Sequence, residues 1–259
     1  VSEYLEGLFG LAGRNAVVIG GTGVLGGRIA SALAGAGARV IVAGRDAAKG
    51  AQRVDKIMTD GGAAEFAFVD VTAYQSLADL FAAAKDRLQH IDILVNSAGV
   101  NSATPYFEID ESDWDRILAI NLKAVHYACQ VFGRHMVERK TGSIINIASV
   151  SALVPLSRVF AYSASKSASV NYTRNLAREL APHGVRVNCI SPGFVPAEQN
   201  RRILDADRTQ RVLAHTPLGR FGRPEELDGA ILVLASERAG SFITGANLVV
   251  DGGFSAQSI

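Results

Sequence analysis

Cysteine is scarce: Cys129 and Cys189 are the only two in 259 residues, and they stand far apart. That excludes a disulfide framework and leaves no CxxC pair for a metal. Charge of one sign is not in excess either. Lys and Arg number 26 against 25 Asp and Glu, a formal net charge of +1, and no long single-sign run is present. Such a balance offers no track for nucleic acid and no patch for an anionic membrane, so neither is expected as a partner. Long apolar runs are missing as well. The longest stretch without a charged residue runs from Thr141 to Ser157 and is broken by Gly142, Asn146 and Pro155. That falls short of the ~20 apolar residues of a membrane span. The N-terminal residues carry Glu3 and Glu6 and no basic group ahead of a short apolar patch, unlike a secretory signal. The five histidines, His90, His126, His135, His183 and His215, show no HxxxH pattern and no clustered carboxylates, so no metal is expected. Together these absences predict a cytoplasmic protein in a reducing compartment.

What the chain does have is apolar content, 48% of its residues, enough for a sizeable core. Short hydrophobic runs alternate with longer segments of helical spacing almost to the C-terminus, which predicts an α/β fold with a parallel sheet covered by helices on both faces. Strands are predicted at Ala16–Ile19, Arg39–Ala43, Glu65–Val69, Ile91–Asn96, Gly142–Ala148, Val185–Ile190 and Asn247–Val250. Helices are predicted at Val24–Ala36, Ala47–Asp60, Tyr74–Leu88, Glu111–Glu138, Phe160–Ala181 and Pro224–Leu234. No linker composition, internal repeat or low-complexity tract divides them, so residues 1–259 are expected to form a single domain with a doubly wound sheet of about seven strands. The stretch of about 193–215 lacks the alternating pattern and reads as an excursion over a site.

Directly after the first strand comes Gly20-Gly21-Thr22-Gly23-Val24-Leu25-Gly26-Gly27, opening a helix. Glycines in that context let backbone approach a pyrophosphate without a Cβ in the way, while the helix N-terminus offers free N–H groups. The alternative is a tight turn that only packs helix on sheet. The second strand then ends Ala43-Gly44-Arg45-Asp46, with glycine where a dinucleotide site usually holds the ribose with an acid. Arg45 would pair with a 2′-phosphate, which favours NADP while leaving NAD open. Asp46 has a second reading as a helix cap.

Tyr162 and Lys166 lie four apart at the start of a helix, on one face. An ammonium near a phenol lowers the phenol's pKa from about 10 toward the working range, making it a usable acid or base. A surface pair is the alternative. Ser149 ends the fifth strand at the carboxyl edge, where open parallel sheets bind ligands. In Ser149, Tyr162, Lys166 and the glycine turn the chain resembles the short-chain dehydrogenase/reductase family in its compact form, a single-domain Rossmann fold, from the glycine turn to Asp251-Gly252-Gly253.

The resemblance implies an NAD(P)-dependent oxidoreductase that interconverts a secondary alcohol and a ketone by hydride transfer. Tyr162 would be the proton donor or acceptor, Lys166 would tune it and hold the nicotinamide ribose, Ser149 would bond the reacting oxygen, and Asn121 would anchor a water in a relay to Lys166. Gly20, Thr22, Gly23, Val24, Leu25 and Gly26 would hold the pyrophosphate, with Arg45, Asp70 and Val71 at the adenosine. Asn96, Ala98 and Gly99, from Asn96-Ser97-Ala98-Gly99, would border the cofactor, and Pro192, Gly193 and Val195 would meet the carboxamide.

The chain departs from the family at three places. Ile19 stands for a Thr and Val24 for a Gly of the family's turn, Ser97 for an Asn, and Ala197 for a Thr that bonds the cofactor. The first departure leaves the layout carried by Gly20, Gly23 and Gly26.

The substrate would be a small carbonyl or alcohol. Ser151, Arg158, Asn200 and Arg201 are candidates to touch it, an arginine suiting a carboxylate, although the basic residues also suit solvent or subunit contacts. Pro196–Arg201 and His215–Gly222 resemble the branch of mannonate/fructuronate oxidoreductases, which handle sugar acids. A 3-oxoacyl-thioester (acyl carrier protein) reductase shares every catalytic motif and remains an alternative. A non-catalytic NADP-sensing regulator would lack Tyr162, Lys166 or Ser149. The resemblance further implies a homotetramer.

Overall fold

The computed structural model describes residues 2–195 and 205–257. The first half runs α1 (Glu3–Phe9), β1 (Asn15–Ile19), α2 (Val24–Gly35), β2 (Arg39–Gly44), α3 (Ala47–Thr59), β3 (Ala63–Phe68), α4 (Tyr74–Leu88) and β4 (Ile93–Asn96). The second half runs α5 (Glu111–Leu118), α6 (Ala124–Arg139), β5 (Gly142–Ile147), α7 (Phe160–Leu180), β6 (Val185–Pro192), α8 (Ala206–His215), α9 (Asp228–Ala235) and β7 (Asn247–Val250). The strands form one parallel sheet in the order β3-β2-β1-β4-β5-β6-β7. Strand order reverses between β1 and β4.

Successive strand residues point to opposite faces, so the interior divides in two. Val17, Ile19, Ile41, Leu94, Ile144 and Val187 pack with Leu77 and Leu80 of α4, Phe132 of α6 and Ala177 of α7. Ala16, Val18, Val40, Val42, Ile93, Val95 and Ile145 turn the other way, onto Ile29 and Leu33 of α2, Ile57 of α3 and Ile231 and Leu234 of α9. The sheet is therefore doubly wound, as the alternation predicts. No helix among the described residues is long and apolar enough to cross a membrane.

The structure differs from the predicted elements in ways that have physical causes. The predicted helix Glu111–Glu138 is interrupted by a π turn at Ala119–Lys123, where the Ala124 N–H reaches the carbonyl of Ala119. β4 starts at Ile93 rather than Ile91 because Asp92 turns into the amino edge of the sheet. Its carboxylate accepts the Asn15 N–H at 2.9 Å, and His90, Arg139 and Arg14 lie 3.3, 3.4 and 3.8 Å from it. β6 continues through Pro192, paired to Val250 on the edge strand β7. Helices α1 and α8 have no counterpart among the predicted elements.

A polar ladder crosses the interior. Asn96 faces Asn146 in register, and its Nδ2 donates to the Asn146 Oδ1 at 2.9 Å. The Asn146 Nδ2 donates to Thr173 Oγ1 at 2.9 Å, and that hydroxyl donates to the Ser169 carbonyl at 2.9 Å. The ladder thus ties β4 and β5 to α7. Replacing Asn146 by Leu leaves a buried donor of Asn96 unpaired and should destabilise by about 2–4 kcal/mol. A thermal midpoint lowered by roughly 5–10 °C in calorimetry is the expected result.

Candidate active site

The reversal of strand order opens a crevice at the carboxyl ends of β1 and β4, where α/β sheets bind ligands. A cleft lies there, walled by the glycine turn, Ser97, Gly99, Asn101, Ser149, Tyr162 and Lys166. Gly20 adopts φ +83°, and a Cβ on it would stand 2.5 Å from the Ala98 nitrogen. A Cβ on Gly26 would overlap the Gly20 carbonyl. These two glycines are thus required by the protein's own packing. Gly23 is different: its Cβ would meet only the Gly20 oxygen, at 3.3 Å, and it opens α2 with no side-chain cap. Gly23, Val24, Leu25 and Gly26 line the cleft, so an uncapped helix terminus faces the space, an arrangement that fits a pyrophosphate.

The end of β2 bears on the adenosine side. A side chain at Gly44 would stand 2.6 Å from Thr22 Oγ1 and 2.7 Å from its Cγ2, so Thr22 fills the room an acid would need. Asp46 caps α3, accepting the Lys49 N–H at 3.0 Å. Arg45 is exposed and forms no ion pair among the described residues, so its guanidinium is available to a phosphate. Asp70 accepts the Thr72 N–H at 3.0 Å and hydroxyl at 2.8 Å, bonds that hold its carboxyl below the usual range, with Arg45 adding to the effect. Val71 is packed in the core below it.

Tyr162 and Lys166 occupy the first two turns of α7, with Ser149, just past the end of β5, within hydrogen-bond reach of Tyr162. Lys166 is 5% exposed; its Nζ donates to the Ile147 carbonyl at 2.7 Å and lies 5.7 Å from the Tyr162 ring centre. Burial, with no compensating carboxylate among the described residues, lowers the Lys166 pKa to about 8. Burial also raises the Tyr162 phenol, against a smaller downward pull from a hydrogen bond with Ser149. The expected lowering of the phenol by Lys166 is therefore not what the cleft displays. Desolvation dominates there, opposed only in part by the Ser149 hydrogen bond.

Asn121 lies in the π turn, fully buried. Its Oδ1 accepts the Val100 N–H at 2.8 Å, and its Nδ2 donates to the Val100 carbonyl at 2.9 Å and to Ser165 Oγ at 3.1 Å. Ser165 in turn donates to the Tyr162 carbonyl at 2.6 Å. Asn121 thereby connects the β4 loop to the turn that carries Tyr162. A Cβ on Gly99 would lie 3.5 Å from Asn121 Oδ1 and 3.6 Å from Lys166 Nζ, so Gly99 marks where these groups converge.

The remaining candidates are dispersed. Asn96 belongs to the polar ladder below the cleft, whereas Ser97 and Gly99 line it and Ala98 backs Gly20. Pro192, Gly193 and Val195 form the opposite rim, Gly193 against Asp251. Ser151 is buried, its N–H donating to Ser149 Oγ at 3.2 Å. Arg158 is exposed at a left-handed φ of +64° and lines an outer vestibule, not the inner cleft. Asn200, Arg201 and Ala197 lie outside the described residues. Two polar cleft residues escape sequence reasoning, Asn101 and Arg208, as do apolar lining residues such as Val150, Leu156 and Val159. Neither of the polar two belongs to a motif; Arg208 stands out only as a charge within the excursion. No group of His, Cys, Asp and Glu among the described residues could hold a metal.

Comparison with known proteins agrees with this geometry. A family model described as Enoyl-(Acyl carrier protein) reductase matches residues 22–255. Gluconate 5-dehydrogenase of Gluconobacter oxydans is 36% identical over 247 residues, covering 95% of this chain and 96% of the relative. D-threitol dehydrogenase of Mycolicibacterium smegmatis is 41% identical over 249 residues, covering 95% and 94%. The crystal structure of a gluconate 5-dehydrogenase from Burkholderia cenocepacia J2315 in complex with NADP and tartrate superposes with a TM-score of 0.93 at 33% identity, covering 98% of this chain and all of that one. With a glycine turn, a Ser149–Tyr162–Lys166 cleft and relatives matched along nearly their whole length, the chain belongs to the short-chain dehydrogenase/reductase family.

Proposed function

We propose that the protein interconverts a secondary alcohol and its ketone on a sugar acid or polyol, using a nicotinamide dinucleotide and preferring NADP. The observation that carries this reading is the meeting of Ser149, Tyr162 and Lys166 in the cleft walled by the glycine turn. Gly20 to Gly26 hold the pyrophosphate, Arg45 the 2′-phosphate, Asp70 and Val71 the adenine. Ala98, Gly99, Lys166, Pro192, Gly193 and Val195 surround the nicotinamide riboside. When bound, the dinucleotide supplies or accepts the hydride. The protein's own part is the proton. Tyr162 gives it to the substrate oxygen in reduction and takes it back in oxidation, while Ser149 donates a hydrogen bond to that oxygen. Lys166 steadies the phenolate by its charge, and Asn121 keeps the phenol in place through Ser165.

Assembly and compartment follow the same family logic. A homotetramer is supported by large apolar side chains left in solvent, Phe107 and Phe242 fully so, and by Leu248 and Val249 on the edge strand β7. A cytoplasmic setting is supported by two free, buried cysteines.

Tyr162→Phe should lower kcat by about 10²–10⁴-fold without shifting the thermal midpoint downward; unchanged turnover of keto-uronates, ketoses and 3-oxoacyl thioesters alike would sink the assignment. The pH profile follows from the two shifts. Below about pH 8, where Lys166 keeps its charge, reduction should be flat because the raised phenol stays protonated. Oxidation should rise about tenfold per pH unit over the same range, because it requires the phenolate. Above that pH, loss of the ammonium should level the oxidation limb and bend the reduction limb downward. Arg45→Asp should shift the ratio of kcat/KM for NADPH over NADH toward NADH by at least about tenfold. An unchanged ratio refutes the role given to that arginine.

A further inference from the structure

Among the described residues, the inner cleft is lined by two charged side chains and by no carboxylate: Lys166 and Arg208. Lys166 belongs to the proton chemistry. Arg208, in the first turn of α8, also lines the outer vestibule and so stands at the doorway between them. Its Nη2 donates to the Ser157 carbonyl at 2.9 Å, and no carboxylate forms an ion pair with it among the described residues. The acids nearest in sequence are engaged elsewhere. The Asp205 carboxylate accepts the Arg208 backbone N–H at 2.7 Å as the cap of α8, and Asp207 pairs with Arg211 at 2.6 Å. Arg158 adds a second positive charge from the facing loop, and partial burial withdraws water from the Arg208 guanidinium. A guanidinium so placed has unused donors and an unbalanced charge.

A second observation points to the same space. Asn101, on the cleft wall, has a buried Oδ1 without a hydrogen-bond partner. An amide oxygen in that condition accepts a donor from a ligand, such as a hydroxyl. The cleft therefore offers a fork for an anion and an acceptor for an alcohol, beside the groups that handle the reacting carbon.

We infer that the substrate is a polyhydroxy carboxylate and not an uncharged polyol, with its carboxylate on Arg208 and one of its hydroxyls donating to Asn101 Oδ1. This rests on the oxidoreductase reading for the reacting carbon only; the anion site is a property of Arg208. Arg158, outside in the vestibule, contributes long-range attraction for the incoming anion.

Thermal shift without cofactor tests the site directly, using D-gluconate, D-galactonate and D-mannonate against the corresponding hexitols. At least one hexonate should raise the midpoint where its hexitol does not. Arg208→Gln should abolish that shift, and Arg208→Lys should keep part of it. In steady-state reduction, the ratio of kcat/KM for 5-keto-D-gluconate over its neutral counterpart L-sorbose should fall about 30-fold in Arg208→Gln, carried by KM. No shift from any hexonate, equal shifts from hexonates and hexitols, or loss in Arg158→Gln while Arg208→Gln retains it would overturn the proposal. An Arg208-dependent hexonate shift in a protein that oxidises neither NADPH nor NADH with any keto compound would uphold the anion site and refute the oxidoreductase reading.

Discussion

The Asn121 amide ties its own turn to two segments distant in sequence, at Val100 and Ser165, and the geometry of the cleft follows from that contact. It spans the N–H and carbonyl of Val100 like a missing strand partner, and its remaining donor reaches Ser165. The π turn at Ala119–Lys123 widens the helix where the side chain enters, as such turns do at functional sites. Because Ser165 holds the Tyr162 carbonyl, the phenol's position depends on a helix two elements earlier in the chain.

Around this contact the fold accepts unfavourable burial. A lysine that is 5% exposed, with no carboxylate beside it among the described residues, is destabilising relative to an apolar residue. The sheet below offsets this with two apolar layers and a hydrogen-bonded polar ladder from Asn96 to Ser169. Specific polar pairing fixes strand register where hydrophobic contact alone would tolerate sliding. The opposite edge of the sheet is pinned by Asp92 and its ring of basic groups.

Much of this was legible in the residues. Strand runs such as Ala16–Ile19 are buried on both faces and so appear as unbroken apolar stretches, and the glycine turn could be located because it follows one of them. The π turn was not legible, since Ala119-Ile120-Asn121-Leu122-Lys123 reads as ordinary helix. Helix α8 was hidden because it buries a single residue, Val212, and leaves hardly any apolar stripe. Spacing placed Tyr162 and Lys166 on one face but not the balance between burial and charge, which depends on what surrounds the pair in space. Asn101 and Arg208 reach the cleft through loop and excursion, where no periodicity constrains direction. In the sequence Gly44 shows only as a missing acid, whereas the positive reason for it is the bulk of Thr22.

Gly99 has an evolutionary implication. A Cβ there would only touch Asn121 and Lys166 at ordinary contact distance, so alanine fits, whereas a longer side chain directed at them would press on an amide or an amine. Diversification of such an enzyme is thereby channelled away from the floor of the cavity and toward its entrance. Loops and α8 can be rewritten to admit new molecules while the reaction performed on them stays the same.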